Sequence, residues 1–348
     1  MTLQQKINAF EKLGAIFAHA AKETDPTLLG PLPAKLVELA STVHIYNGWF
    51  TRDNVLHAYR SWGNALTRAN LDKWLNAYTF TIKTSKNIGL IMAGNIPLAG
   101  LHDMLCVLLS GHAIIAKSSG NDDKLPKLVS EILISIEPAF NDLIHFTDGQ
   151  LKTIDAVIAT GSNNSSRYFE YYFDKYPHII RKNRNSIAVL NGTESTEELR
   201  LLAKDVFQYF GLGCRSISKL FVPENYDFDH LFGAAFDYQH VLQHNKYVNN
   251  YEYNKTVYLM QGVKLLENGF LLLKEDIGLA SPVAVLYYEY YMNEAELQDR
   301  LQMDAAHIQC IASKIKGIKN KLDFGQTQNP GLWDYADGID VLKFLTAL

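Results

Sequence analysis

The sequence predicts an α/β protein of two α/β domains, with mostly parallel sheets covered by helices. From about residue 85 onward, short apolar runs typical of buried strands alternate with segments whose apolar residues have helical spacing. The chain has 348 residues, of which 47% are hydrophobic, so it can bury a core large enough for about two domains. We place the domains at residues 1–190 and 191–330, followed by a C-terminal segment at 331–348.

The elements of the first domain are predicted in chain order. Helical spacing over residues 3–83, broken by a proline-rich stretch at 25–33, predicts a helical entry region. NIGLIMAG then predicts a buried strand, IPLAGLHDMLCVLLSG a helix with Pro97 in its first turn, and HAIIAK a second strand. A further helix, capped by Asn121 or Asp122, leads to the strands DLIHFT and DAVIAT.

Around the domain border, the run SIAVL predicts another strand. The helix that follows has Ser195 and Glu198 at capping-box spacing and ends at Gly211. Cys214 comes directly after this helix and before the apolar run KLFVP, which is typical of a strand. The remaining sequence mixes strand and helix patterns, which indicates a second α/β domain.

Composition excludes several classes of function. The formal net charge of −4, with charges of both signs interspersed, offers no basic stripe for a nucleic acid. Three cysteines far apart, without CxxC spacing, encode neither a disulfide framework nor a zinc site. No apolar run reaches membrane-spanning length, and the N-terminus lacks the pattern of a signal peptide. We expect a cytoplasmic protein with no metal site, no nucleic-acid partner and no membrane span.

The turn FGLGCRS presents one cysteine between glycines. Gly211 and Gly213 can adopt positive φ, which would let the chain leave the helix sharply and display Cys214 on a tight loop. As a thiolate, Cys214 would trap an acyl group as a thioester, whereas as a small buried hydrophobe it would only pack. Cys106 and Cys310 lie among apolar residues of helical spacing, which favours packing roles for both.

Polar residues follow three of the predicted strands. The Asn95 amide either reaches a developing oxyanion or merely closes the turn, and Pro97 begins a helix whose N-terminus favours negative charge. Lys117 either binds ribose hydroxyls or is a solvated strand end. The GSNNSS turn at residues 161–166 aims backbone donors toward a position suited to a pyrophosphate.

Each of these signals is weak, but their order along the chain is specific. A strand followed by AGN-I-P, a strand followed by AKSS, a strand followed by TGS, a strand followed by LNG, then GxxC and an acidic residue before SPV, resemble the motif series of the aldehyde dehydrogenase superfamily. Within it, AGNIPLAGLHDMLCVLLSGHAIIAKSSGND and GLGCRSISKLFVP are most similar to the acyl-CoA reductases, the LuxC-like branch. The resemblance covers about residues 85–290.

The resemblance implies a Rossmann-like cofactor domain and a catalytic domain with Cys214 as the nucleophile. It implies that the Asn95 side chain and the Cys214 backbone N–H stabilise the oxyanion. The cofactor-binding residues that it implies are Gly94, Pro97, Lys117, Ser119, Gly120, Gly161, Ser162 and Glu275. Many NAD-preferring relatives carry a glutamate where this chain has Gly120, so the resemblance implies NADPH, with NADH as the alternative.

The chain departs from the superfamily pattern at two places. Hydrolytic relatives carry a glutamate base where our alignment puts Ile180 or its neighbours in HIIRKNRNS, so water should be poorly activated against a thioester. In KEDIGLASPV, Glu275 and Asp276 both stand further from Pro282 than the acidic residue of the family pattern does. The resemblance therefore implies that one of the two meets the nicotinamide ribose and leaves both as candidates.

The activity that the resemblance implies is NAD(P)H-dependent reduction of a fatty acyl-CoA to the aldehyde through a covalent Cys214 acyl-enzyme. The alternatives are an acyl-phosphate reductase, an aldehyde-oxidising dehydrogenase and a non-redox cysteine acyltransferase. The implied partners are the acyl-CoA substrate and either a second copy of the chain, in a homo-oligomer, or a partner acyltransferase or synthetase.

Overall fold

The computed structural model describes residues 1–22, 30–80 and 84–348. The chain divides into two compact units, one formed by Met1–Asn183 with Pro330–Leu348 and the other by Arg184–Asn329. Both units are α/β, so the predicted fold class is confirmed. The second unit begins before the border that the sequence suggests at residue 190, because the strand Asn185–Val189 pairs into the second sheet. Among the described residues, no helix has the length and apolarity to cross a membrane.

The described residues of the entry region form four α-helices in the first unit. They are α1 (Leu3–Ala21), α2 (Pro31–Thr42), α3 (Arg52–Ala65) and α4 (Arg68–Leu75). Phe10, Leu13 and Phe17 repeat at helical spacing on α1 and are fully buried, which places the apolar stripe of this helix in the core. The predicted helical entry region is therefore confirmed. Most of the proline-rich break at residues 25–33 lies outside the described residues.

A five-stranded parallel sheet forms the centre of the first unit. Its strands are β1 (Asn87–Ile91), β2 (Ala113–Lys117), β3 (Ile144–Phe146), β4 (Ala156–Thr160) and β5 (His178–Arg181). Their order across the sheet is β3-β2-β1-β4-β5. The connecting helices are α5 (Leu101–Ser110), α6 (Lys124–Ile136) and α7 (Asn163–Phe173). Order reverses next to β1, and at such a position an open parallel sheet offers a ligand crevice at the carboxyl ends of its strands.

Two predicted helix starts are wrong. Helix α5 begins at Leu101 with Gly100 as its N-cap, so Pro97 lies in the preceding turn and starts no helix. The reason is Leu98, whose φ of 60° is left-handed and interrupts any helix that would begin at Pro97. Helix α6 has Asp123 as its N-cap residue, without a side-chain cap hydrogen bond, instead of Asn121 or Asp122. The side chain of Asp122 points elsewhere, as described below.

A six-stranded sheet forms the centre of the second unit. Its strands are β6 (Asn185–Val189), β7 (Ile217–Pro223), β8 (Leu265–Glu267), β9 (Leu272–Glu275), β10 (Val285–Tyr291) and β11 (Ile308–Ser313). Their order is β11-β6-β7-β10-β9-β8, and all neighbours are parallel except the pair β8 and β9. The helices are α8 (Thr196–Phe207), α9 (Phe228–Ala234), α10 (Asn245–Met260) and α11 (Glu294–Asp304). The predicted capping box of Ser195 and Glu198 at the start of α8 is present.

The C-terminal residues return to the first unit. They include α12 (Val341–Thr346), of which Val341, Leu342 and Leu345 are fully buried. The hydroxyl of Tyr335 accepts a hydrogen bond from the Trp74 indole at 2.8 Å and lies 2.7 Å from the Tyr78 hydroxyl. This segment is therefore an integral part of the first unit's core.

Candidate active site

Three turns lie side by side at the carboxyl edge of the first sheet. Strand β1 pairs in parallel with both β2 and β4, and the register sets Ile91 opposite Lys117 on one side and Ala159 on the other. The turns that follow these strands therefore start at adjacent positions. The predicted cofactor-binding residues of the first domain lie either in these turns or, for Lys117, at the last position of the strand before one.

Two of the turns are closed by glycines that no other residue could replace without movement. A Cβ on Gly94 would lie 2.6 Å from both the Cβ and the Oγ of Ser119. A Cβ on Gly161 would lie 2.8 Å from a ring carbon of Phe169. Ser162 is the N-cap residue of α7 and accepts a hydrogen bond from the Ser165 N–H at 3.2 Å. The backbone N–H groups at the N-terminus of α7 are therefore not covered by a side chain at Gly161, an arrangement that fits a pyrophosphate.

A cavity of about 440 Å³ lies in the first unit beside the turn after β2. Its lining includes Tyr46, Lys117, Gly120, Lys124 and Asp148. The Nζ of Lys124 lies 5.2 Å above the ring of Tyr46, and the Nζ of Lys117 donates to the Gly149 carbonyl at 3.3 Å. A Cβ on Gly120 would meet no atom within 4 Å. The cavity wall therefore combines three lysines and an aromatic ring, which a phosphorylated nucleoside could contact, with three aspartates.

Sequence reasoning missed Tyr46 and Lys124 as candidate ligand contacts. Tyr46 comes from the helical entry region, more than seventy positions away from Lys117 in the sequence. No local signal marks it, because only the packing of that region beside β2 brings the ring to the cavity.

Asn95 is exposed on its turn, whereas Pro97 beside it is buried.

The Cys214 loop of the second unit is formed by strained backbone. Tyr209 and Phe210 both have φ of 56°, and Gly211 has φ of 77°, so three successive residues are left-handed after α8. The predicted positive φ of Gly211 is confirmed, but Gly213 is not among the residues with positive φ. The reversal ends with Cys214 exposed, immediately before β7. Left-handed non-glycine residues each cost on the order of 1 kcal/mol, and such strain is concentrated at functional sites.

A buried serine supports the Cys214 loop from below. The Ser186 hydroxyl, which is fully buried, donates to the Cys214 carbonyl at 2.9 Å and lies 3.0 Å from the Sγ of Cys310. Burial raises the pKa of the half-buried Cys310 thiol, so this thiol is the less reactive of the two. Cys310 lies on strand β11, and the helical surroundings predicted for it are wrong. Cys106 lies fully buried on α5, as predicted.

A buried aspartate holds the segment beside the loop. Asp205, which is fully buried on α8, accepts hydrogen bonds from the Gly325 N–H at 2.6 Å and the Thr327 N–H at 3.1 Å, and from the Thr327 hydroxyl at 2.8 Å. The Arg215 guanidinium, next to Cys214 in sequence, donates to the Thr327 carbonyl at 3.5 Å. Burial raises the pKa of Asp205 to about 6. Sequence reasoning missed this contact because more than a hundred residues separate its two halves.

The two candidate acidic residues at the end of β9 differ in availability. Asp276 forms an ion pair with Lys274 and accepts the Gly278 N–H at 2.8 Å, so its carboxylate is committed to its own turn. Glu275 is exposed at the last position of β9. Between the two, the geometry favours Glu275 as the carboxylate that can meet a ligand.

The stretch in which the sequence alignment seeks the superfamily's glutamate base includes a half-buried isoleucine. Ile180 lies on β5, and its neighbour Arg181 is buried in an ion pair with Asp103 of α5. Arg181 also donates to the Thr160 hydroxyl at 3.2 Å, at the end of β4. This stretch of β5 therefore offers an apolar side chain and a fully engaged cation, neither of which can accept a proton from water.

Comparison with solved structures identifies the fold. An aldehyde dehydrogenase from Bartonella henselae matches with a TM-score of 0.64 and 13% sequence identity over 91% of this chain and 75% of its own. Aldehyde dehydrogenase 21 from Physcomitrella patens, solved with the reaction product succinate, also gives 0.64 and 13%, over 97% and 84% of the two chains. A Mycobacterium tuberculosis aldehyde dehydrogenase complexed with NAD⁺ gives 0.59 and 14%, over 91% and 76%. The class of protein is thus an aldehyde-dehydrogenase-like α/β protein.

The family model described as acyl-CoA reductase (LuxC) matches residues 37–268, which is more than half of the chain. The chain therefore belongs to the LuxC acyl-CoA reductase family, as the motif series predicts. No curated protein sequence matches it. Family and fold together make the protein an oxidoreductase of the aldehyde dehydrogenase superfamily, a group that performs nicotinamide-dependent chemistry at the acyl and aldehyde level.

Proposed function

We propose that this protein reduces a fatty acyl-CoA to the aldehyde with NADPH, through a thioester on Cys214. The observation that carries the proposal is the exposed Cys214 on a strained, internally supported loop of a LuxC-family chain. A cysteine that merely packed would be buried, as Cys106 is, and would need no such loop.

The chain's own residues account for the acyl transfer. The Cys214 thiolate attacks the acyl carbon, a new carbon–sulfur bond forms, and the bond to the CoA sulfur breaks as CoA leaves as its thiolate. Asn95 and the Cys214 backbone N–H stabilise the oxyanion that forms during this transfer, and one such donor is worth on the order of 10²–10³-fold in rate. After reduction, the Cys214 sulfur leaves the thiohemiacetal carbon, and the aldehyde is released as the thiolate is restored.

The three turns of the first unit fit the cofactor in this proposal. Gly94 and Ser119 pack backbone against side chain at one turn, and Gly161 and Ser162 present the N-terminus of α7 at another. Lys117 borders the cavity where a ribose would bind, and Glu275 holds the nicotinamide ribose. When bound, NADPH supplies the hydride that reduces the acyl group. Gly120 adds no further carboxylate to a cavity wall that already includes Asp123 and Asp148, and Lys117, Lys124 and Lys127 supply the cations that a 2′-phosphate would meet.

Ile180 argues against a hydrolytic outcome. Without a carboxylate at this position, water is poorly activated, and the thioester waits for reduction or for a thiol. This favours the reductase over an aldehyde-oxidising dehydrogenase. The acyl-CoA is the substrate in this proposal, and a partner acyltransferase or synthetase, or a second copy of the chain, completes the physiological unit.

Mass spectrometry of the intact protein tests the proposal. After brief exposure to a long-chain acyl-CoA, the wild type and Cys310→Ser should each gain one acyl group, whereas Cys214→Ser should gain none. Addition of NADPH should then discharge the acyl group as aldehyde, with a matching loss of reduced-nicotinamide absorbance. Acylation that persists in Cys214→Ser, or wild-type protein that acylates but never consumes NADPH, would contradict the proposal.

A further inference from the structure

A buried carboxyl group joins the turns after β1 and β2. Asp122, only 2% exposed, accepts a hydrogen bond at its Oδ2 from the Leu98 N–H at 2.8 Å. Leu98 follows Asn95 in the turn after β1, and Asp122 belongs to the turn after β2. This bond lies three residues from Asn95, on the same short turn.

The turn that carries Asn95 needs such a support because its backbone is strained. Leu98 has a left-handed φ of 60°, which costs a non-glycine residue on the order of 1 kcal/mol or more. The Leu98 side chain is buried, and the Asp122 carboxyl fixes its N–H, so the strained residue is held from both ends. On the other side of Asn95, Gly94 packs directly against Ser119. Asn95 is therefore exposed between two fixed points.

Burial of the Asp122 carboxyl group costs free energy. Its Oδ1 is buried and has no hydrogen-bond partner among the residues that the structure describes. A buried acceptor left unsatisfied costs about 1–3 kcal/mol. A cost of this kind is retained where geometry matters for function.

We propose that Asp122 is a positioning residue that holds Asn95 in place to stabilise the oxyanion. The inference rests on the proposed function in one respect, the assignment of Asn95 as the oxyanion donor. Asp122 touches neither the acyl group nor the thiol, and it acts through the backbone of the turn from Asn95 to Leu98.

A double-mutant cycle on thiol acylation tests the positioning role. The probe is p-nitrophenyl acetate, whose burst of p-nitrophenol reports acylation of Cys214 independently of the natural acyl donor. Asn95→Ala should slow the burst by on the order of 10²-fold, and Asp122→Ala, by misplacing Asn95, by a similar factor. In the Asn95→Ala background, Asp122→Ala should have an effect of less than about 3-fold.

Two further variants separate positioning from loss of structure. Asp122→Asn keeps an oxygen acceptor for the Leu98 N–H and should retain an acylation rate within about 3-fold of the wild type. Asp155→Ala is the matched control, since Asp155 accepts the Asn87 N–H at 2.8 Å at the opposite end of β1. It should leave the burst unchanged. The NADPH affinity of Asp122→Ala, followed by nicotinamide fluorescence, should fall less than its acylation rate.

Several results overturn the proposal. These are additive effects in the double mutant, a wild-type burst in Asp122→Ala, an equal slowing by Asp155→Ala, and an Asn95→Ala burst at the wild-type rate. A wild-type protein that gives the ester burst but does not reduce acyl-CoA refutes the proposed function, while non-additivity of Asp122 and Asn95 would still establish the positioning role.

Discussion

The Asn95 turn of the first unit and the segment 325–327 of the second unit, which Arg215 next to Cys214 contacts, are each held by a buried aspartate, but the two aspartates are satisfied differently. Asp205 accepts three hydrogen bonds with both of its oxygens, from the backbone and hydroxyl of residues 325–327. Asp122 accepts one at Oδ2, and its Oδ1 has no partner within the described ranges.

This difference separates an aspartate that stabilises the fold, Asp205, from one that positions a turn, Asp122. A carboxyl group that accepts hydrogen bonds at both of its oxygens stabilises a fold, because its removal leaves several buried donors without partners. In Asp122, one carboxyl oxygen lacks a partner within the described ranges, which lowers stability, while the other fixes one strained turn. Burial raises the pKa of both aspartates. The rise is larger for Asp122, to about 7, than for Asp205, to about 6.

The largest expected effect is the loss of stability when Asp205 is replaced. Asp205→Ala leaves the Gly325 and Thr327 N–H groups and a hydroxyl unpaired, which should lower the free energy of unfolding by about 3–5 kcal/mol. Asp122→Ala removes the acceptor of the Leu98 N–H together with a carboxyl oxygen that has no partner within the described ranges, and it should cost less. Urea unfolding followed by circular dichroism measures both. Equal losses in the two variants would erase the distinction drawn here.

The pH dependence of stability gives the next effect. Burial raises the pKa of Asp122 from 3.8 to about 7, with a further contribution from the nearby charge of Asp123. The folded protein thus holds this proton more tightly than the unfolded chain, and the stability that follows is complete below about pH 4 and lost as the pH rises through about 7. Asp122→Asn should remove up to ~4 kcal/mol of this decline.

Unfolding in urea at about pH 5 and about pH 8 checks the sign. Relative to the wild type, Asp122→Asn should gain stability at the higher pH. Asp205→Asn should show a smaller change, because its pKa is raised less. If the wild type is as stable at the higher pH as at the lower, and Asp122→Asn does not alter this, Asp122 is ionised without penalty.

A third prediction concerns what the first unit does not supply. Without cofactor or CoA, the Cys214 acyl-enzyme should persist, because Ile180 provides no base. Ile180→Glu should accelerate its hydrolysis by on the order of 10²-fold, the usual contribution of a general base. Ile180→Gln is the matched control without a base. Intact mass followed over time measures the decay. Rapid fatty-acid release from the wild type would point to Glu275 or Asp276 as a base.

The smallest effect concerns the 2′-phosphate of the cofactor. Gly120→Glu meets open space at the Cβ, so the substitution should change charge without disturbing the turn. We expect NADPH affinity to fall on the order of 10-fold more than NADH affinity, since like charges near a binding site cost about 1.4 kcal/mol or more. Gly120→Gln provides the neutral control of equal size. A parallel loss for both cofactors would falsify the role assigned to this position.

Most of the fold was predictable because its signals are local. The apolar runs of β1, β2 and β4 are buried on both faces and are therefore continuous in sequence, and the capping box at Ser195 needs only residues three apart. The boundaries of α5 and α6 were missed. The start of α5 depends on the left-handed Leu98, whose N–H is bound by Asp122, a residue 24 positions away in sequence.

The sequence by itself determined the α/β class, the order of the motifs and the identity of the exposed thiol, since each depends on residue types at short spacing. Tertiary structure alone decided which groups support those motifs. Asp122 beneath Leu98, Ser186 beneath Cys214, Asp205 beside residues 325–327 and Tyr46 at the cavity are each brought to their sites by parallel pairing or helix packing. The physical reason is that a hydrogen bond or a cavity wall requires proximity in space, and chain separations of 24 to 122 residues leave no local pattern from which it could be inferred.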